Sequence, residues 1–117
     1  MHERSLVKAL LRQVEVLAAE YPESRIRSIR VRIGEFAGVE PELFASAFQD
    51  IVMHSPFGSV DLDLMRVPLT GDCDQCGNHF GIEGFRFRCD RCGSMKVTLR
   101  GGEEMLLESV TMEEAER

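Results

Sequence analysis

Cys73, Cys76, Cys89 and Cys92 are the only cysteines in this 117-residue chain, and they form two C-x-x-C-G knuckles with twelve residues between them. Each knuckle presents two sulfurs from one tight turn. Gly77 and Gly93 let the backbone bend so that its amides face the thiolates, and four such ligands suit Zn(II). A complete tetrahedron leaves no position for water or substrate, so this metal is expected to hold structure and not to perform catalysis. Disulfides are the competing chemistry. The polar, charged first residues do not read as an export signal, however, and C-x-x-C pairs without one usually bind metal or do redox work. A cytoplasmic chain with reduced cysteines is the expectation.

A second set of donors stands at the start of the sequence, Met1-His2-Glu3. A free amine on Met1, the amide nitrogen of His2 and its Nδ1 can enclose one ion in fused chelate rings, with the Glu3 amide or another imidazole at the fourth corner. Such a complex is planar and favours Ni(II) or Cu(II) over Zn(II). Met1 should be retained, because His2 is bulky. A terminus with few packed neighbours would suit exchange of such an ion. The bland reading makes His2 an exposed terminal side chain and Glu3 an acid near the positive end of a helix. His54 reads as a helix C-terminal cap, and His79 as an exposed residue of the zinc loop.

The elements that must carry these residues follow from periodicity. Between Ser5 and Glu20, Leu6, Leu10, Val14 and Leu17 fall at helical spacing, and Pro22 ends the helix. Ile29, Val31 and Ile33 alternate with Ser28, Arg30 and Arg32, which predicts a half-buried strand whose arginines form a solvated face. Val39-Glu40-Pro41-Glu42 opens a second helix carrying Leu43, Phe44, Ala47, Phe48, Ile51 and Val52. Val60, Leu62 and Leu64 alternate as a second strand. Met105 to Met112 form a third, with Leu106, Val110 and Met112 on one side and a frayed tail from Glu113 onward. The expected fold is α+β: two helices packed on a small three-stranded sheet, with an inserted zinc-ribbon-like module. Residues 1–69 and 103–117 would make one domain and 70–102 the module, which is too small to fold without metal. Antiparallel neighbouring strands would bring the module's two connections together.

Composition narrows the function. No apolar run approaches the roughly 18–20 residues that a membrane-spanning helix needs. A net charge of −6 argues against broad nucleic-acid affinity, so a zinc-ribbon nucleic-acid binder is a poor fit. A rubredoxin-like iron electron carrier would use the same knuckles, but twelve residues is a short separation for that fold. No nucleophile, base and orienting group form a recognisable set, so an enzyme is not expected.

Met1-His2-Glu3 with Ser5-Leu6, then Val31, Ile33, Gly34, Gly38, Val39-Glu40-Pro41-Glu42-Leu43 and Ala47-Phe48, then the two knuckles and Gly102-Glu103-Glu104-Met105 occur in an order that resembles the hydrogenase nickel-insertion accessory family HypA/HybF. The resemblance covers nearly the whole chain. It implies a nickel metallochaperone with Ni(II) at Met1, His2 and Glu3 and structural Zn(II) on Cys73, Cys76, Cys89 and Cys92. Its implied partners are a nickel-binding GTPase accessory protein, the large-subunit precursor of a nickel-iron hydrogenase, and urease maturation proteins.

Overall fold

The structure is a computed structural model and describes residues 2–114. Helix α1 (His2–Ala19) leads to strand β1 (Ser24–Gly34), helix α2 (Pro41–Met53) and strand β2 (Asp61–Val67). Three short strands follow, β3 (Thr70–Cys73), β4 (His79–Gly81) and β5 (Val97–Gly101), before the long strand β6 (Met105–Glu114). They form two three-stranded sheets, ordered β2-β1-β6 and β4-β3-β5. Each sheet has its own apolar core. One joins Val7, Leu10, Val14, Ile29, Val31, Phe44, Phe48 and Val52, so both helices lie on a single face of the first sheet. The other joins Leu69, Phe80 and Ile82 to Cys73 and Cys89. The radius of gyration of 18.1 Å, against about 13 Å for one globule of this length, reflects two bodies set end to end.

Helix α1 begins three residues earlier than its apolar spacing predicts. Glu3 then falls on the same stripe as Val7, Leu10, Leu11 and Val14 and is buried with them. In β1, Ile26 and the set Ile29, Val31 and Ile33 all face the core although their parity differs. A bulge between Ile26 and Ser28 in the pairing with β6 absorbs the extra residue. A second register shift pairs Arg30 with Ser109 but Val31 with Leu107, leaving Glu108 as the extra residue of β6. That bulge overturns the expected alternation. Met105, Leu107, Val110 and Met112 pack on the core, and Leu106 is 51 % exposed on the opposite face. The expected fray after Met112 is also corrected for Glu113 and Glu114, which remain in β6, with Glu113 paired to Arg25 and Arg27.

Strands β2 and β6 are not neighbours, contrary to the expectation from the sequence. The β1-α2-β2 crossover allows β2 to pair with β1 in parallel, and β6 takes the other edge antiparallel. The end of β1 therefore fills the gap between the two connections to the second sheet. Gly34 N–H donates to Glu104 O (2.8 Å), Glu35 N–H to Val67 O (2.9 Å) and Phe36 N–H to Gly102 O (2.6 Å). The Glu35 side chain accepts a further bond from Leu69 N–H at 3.1 Å. Gly34 must be glycine here, because a Cβ would overlap the backbone of Gly102. Phe36 then reaches across the seam to Phe85 and Phe87, with ring centroids 5.2 and 5.9 Å away.

Candidate metal centre

The two knuckles have matching backbones. Gly77 N–H donates to Cys73 O at 2.9 Å and Gly93 N–H to Cys89 O at 3.0 Å. Gly77 and Gly93 adopt φ of 76° and 77°, a conformation that side chains disfavour. These turns aim four amides at sulfur: Gln75 and Cys76 donate to Cys73 Sγ, and Arg91 and Cys92 to Cys89 Sγ, each at 3.4 Å. Cys73 and Cys89 are buried, whereas Cys76 and Cys92 are exposed. The amides of Asp74 and Lys96 extend the frame, through Asp74 N–H to Lys96 O (2.8 Å) and Lys96 N–H to Ser94 Oγ (3.1 Å).

All four sulfurs lie within 4.8 Å of one another. Cys73 Sγ is 3.5 Å from Cys92 Sγ, and Cys76 Sγ is 3.6 Å from Cys89 Sγ. A tetrahedron with Zn–S bonds of about 2.3 Å has edges of about 3.8 Å. The donor set thus fits a four-thiolate zinc ion, which when bound supplies a crosslink and no open coordination position.

Electrostatics already divides the thiols. Cys89 is lowered to about 6, first by the Cys92 amide and then by Arg91 and Asn78. Cys92 is pushed up to about 12: the Ser94 amide favours its thiolate, but neighbouring Cys73, burial and the other sulfurs outweigh that bond. Amide donors, led by that of Cys76, also lower Cys73. Sequence reasoning missed Asn78, whose amide reaches Cys89 Sγ at 3.7 Å and Asp90 Oδ1 at 2.7 Å. Its only sequence signal is its place directly after a knuckle glycine.

The remaining candidates are distributed as follows. His79 is not among the clustered donors; its Nδ1 lies 2.6 Å from Asp72 Oδ1, and Arg100 Nε donates to Asp72 Oδ2 at 2.7 Å. These partners, His79 before Arg100, hold the Asp72 carboxyl below its usual range. His54 is the C-cap of α2, with Nδ1 2.8 Å from Asp50 O. The β1 arginines are engaged: Arg30 with Asp63 at 2.8 Å, Arg32 with Glu108 at 3.5 Å, and Arg25 and Arg27 with Glu113. Met1 lies outside the described residues. His2 is the exposed first residue of α1. Glu3 departs from the loosely packed terminus that the sequence suggests, since it is buried and its Oε2 accepts from Glu40 N–H at 3.3 Å.

Residues 1–112 match the family model described as "Hydrogenase/urease nickel incorporation, metallochaperone, hypA". The chain belongs to this HypA family. A hydrogenase maturation factor HypA from Wolinella succinogenes is 36 % identical over 97 % of this chain and 96 % of its own length. One from Chlorobium luteolum is 31 % identical, with 97 % of each chain covered. The solution structure of the Ni metallochaperone HypA from Helicobacter pylori superposes with a TM-score of 0.64 at 28 % identity, covering 94 % of this chain and 96 % of that one. A second HypA solution structure gives 0.71 at 30 % identity and 96 % coverage of both. The two solved HypA structures thus share the fold of this chain, whose two helices, two small sheets and four-cysteine cluster are described above. Their descriptions are of maturation factors and metallochaperones, not of catalysts. No helix among the described residues is long and apolar enough to cross a membrane.

Proposed function

We propose that this chain binds Ni(II) through the Met1 amine and the amide and Nδ1 of His2, and delivers it for maturation of a nickel-iron hydrogenase or of urease. Zinc on Cys73, Cys76, Cys89 and Cys92 keeps the second sheet folded. Residues 1–69 and 103–117 then form the nickel-handling domain and 70–102 the zinc module. A nickel-binding GTPase accessory protein loads or unloads the tip, and the hydrogenase large-subunit precursor or the urease maturation proteins receive the ion. The observation that carries this reading is the position of His2 as the exposed first residue of α1. The first N–H groups of a helix have no intrahelical acceptor, so the His2 amide is available to lose its proton to a metal. Three nitrogens fill three corners of a plane and leave the fourth for an incoming donor. Transfer can therefore proceed ligand by ligand without releasing a free ion.

His2→Ala tests this in untagged protein, since a residue before Met1 would displace the amine. Nickel binding by calorimetry should vanish while zinc content and the far-ultraviolet spectrum persist. Stoichiometric nickel in that variant refutes the reading.

A further inference from the structure

Glu3 is the only buried charged side chain among the described residues, at 9 % exposure. It occupies an apolar stripe of α1, where a leucine would pack without the cost of desolvating a carboxylate. Its partner is the backbone N–H of Glu40, 3.3 Å from Oε2. Glu40 is the N-cap of α2, and its own side chain makes no capping bond. In a capping box, the residue three positions on would return a carboxylate to this N–H; here that residue is Leu43. Glu3 supplies the missing acceptor from the other helix and sets negative charge at the positive end of α2.

We propose that Glu3 is a positioning residue for nickel: its carboxylate, held by the Glu40 amide, locks the first turn of α1 against α2 and so orients the His2 amide and imidazole for the planar chelate. The inference rests on the reading of Met1 and His2 as nickel donors. Successive donors on one short segment bind well only when the backbone between them is already set, because otherwise that order must be imposed by the ion. Glu3 is adjacent to His2 in sequence and anchored to a residue 37 positions away. It thereby ties the tip to the start of α2 and, through the loop before Glu40, to Phe36 at the seam.

The test uses untagged, zinc-loaded full chain and four variants. Glu3→Ala removes the acceptor, and Glu3→Gln retains an oxygen that can accept. Glu40→Pro removes the N–H at a residue whose φ of −81° is close to that of proline, and Glu40→Ala removes the side chain but keeps the N–H. Three quantities are measured: hydrogen-exchange protection of the Glu40 amide without nickel, Ni(II) affinity by calorimetry, and the visible circular dichroism of bound Ni(II). Glu3→Ala should lose protection at Glu40, bind nickel about tenfold more weakly, and alter the dichroism. Glu40→Pro should reproduce the affinity and dichroism changes, whereas Glu3→Gln and Glu40→Ala should stay close to wild type. Loss of binding in Glu3→Gln with Glu40→Pro unaffected would make the carboxylate a direct ligand and overturn the proposal. So would damage from Glu40→Ala equal to that from Glu40→Pro, or undiminished protection at Glu40 in Glu3→Ala. A planar Ni(II) spectrum that is unchanged by Glu3→Ala overturns the positioning role alone. Absence of that spectrum in wild type overturns the nickel reading with it.

Discussion

Gly34→Ala adds one methyl group and is expected to destabilise the chain by about 2–3 kcal/mol. The added Cβ would overlap the carbonyl carbon, oxygen and Cα of Gly102, all of them backbone atoms that cannot rotate away. Gly102 has little room to retreat, because it sits at φ 81° against the backbone of Leu69 and Pro68. Restoring ordinary contact must spread the seam and stretch the bonds from Gly34 to Glu104, from Glu35 to Val67 and from Phe36 to Gly102. Each such bond is worth about 1 kcal/mol net. Gly81→Ala is the control, since nothing lies within 4 Å of its Cβ position; restricting the unfolded chain should make it neutral or slightly stabilising. Urea denaturation of zinc-loaded protein, followed by far-ultraviolet circular dichroism, compares the two. Should Gly34→Ala unfold within about 0.5 kcal/mol of wild type, the close approach is not a constraint and the account of the seam is wrong.

Other consequences concern the second sheet. Removing zinc from reduced protein should unfold the second sheet, read as loss of hydrogen-exchange protection across β3, β4 and β5, and protection that survives would show that its small apolar core folds without the crosslink. In the folded knuckle amide donors, led by that of Cys92, hold the Cys89 thiol at about 6, below its ordinary value of 9.0, so the stability this group contributes is complete above 9.0 and is lost as pH falls through about 6. Zinc affinity should fall in the same acidic direction, as protons compete for sulfur. Phe36→Ala removes the ring that meets both Phe85 and Phe87. It should cost about 1–2 kcal/mol and broaden the relative orientation of the two sheets in residual dipolar couplings, and unchanged couplings would show that the backbone bonds at Gly34 suffice.

The metal cluster was legible in the sequence because a knuckle is a local object. Cysteine spacing and the following glycine determine the turn, the turn aims the amides, and the paired turns bring four sulfurs together. The two helices and three long strands were legible for the same reason, since the apolar period is written in neighbouring residues. Tertiary structure alone decided the partners and the parity. Nothing near Glu108 announces a bulge, yet that single extra residue turns Leu106 outward and Leu107 inward. Nothing near Val67 or Met105 shows that β1 will separate β2 from β6, because edge order depends on how a helical crossover packs. Glu3 is the sharpest case. Its sequence identifies a carboxylate beside a histidine, but its burial and its bond to the Glu40 amide arise only when α1 docks on α2. Contacts between distant segments carry no local pattern, and they exist only in the packed chain.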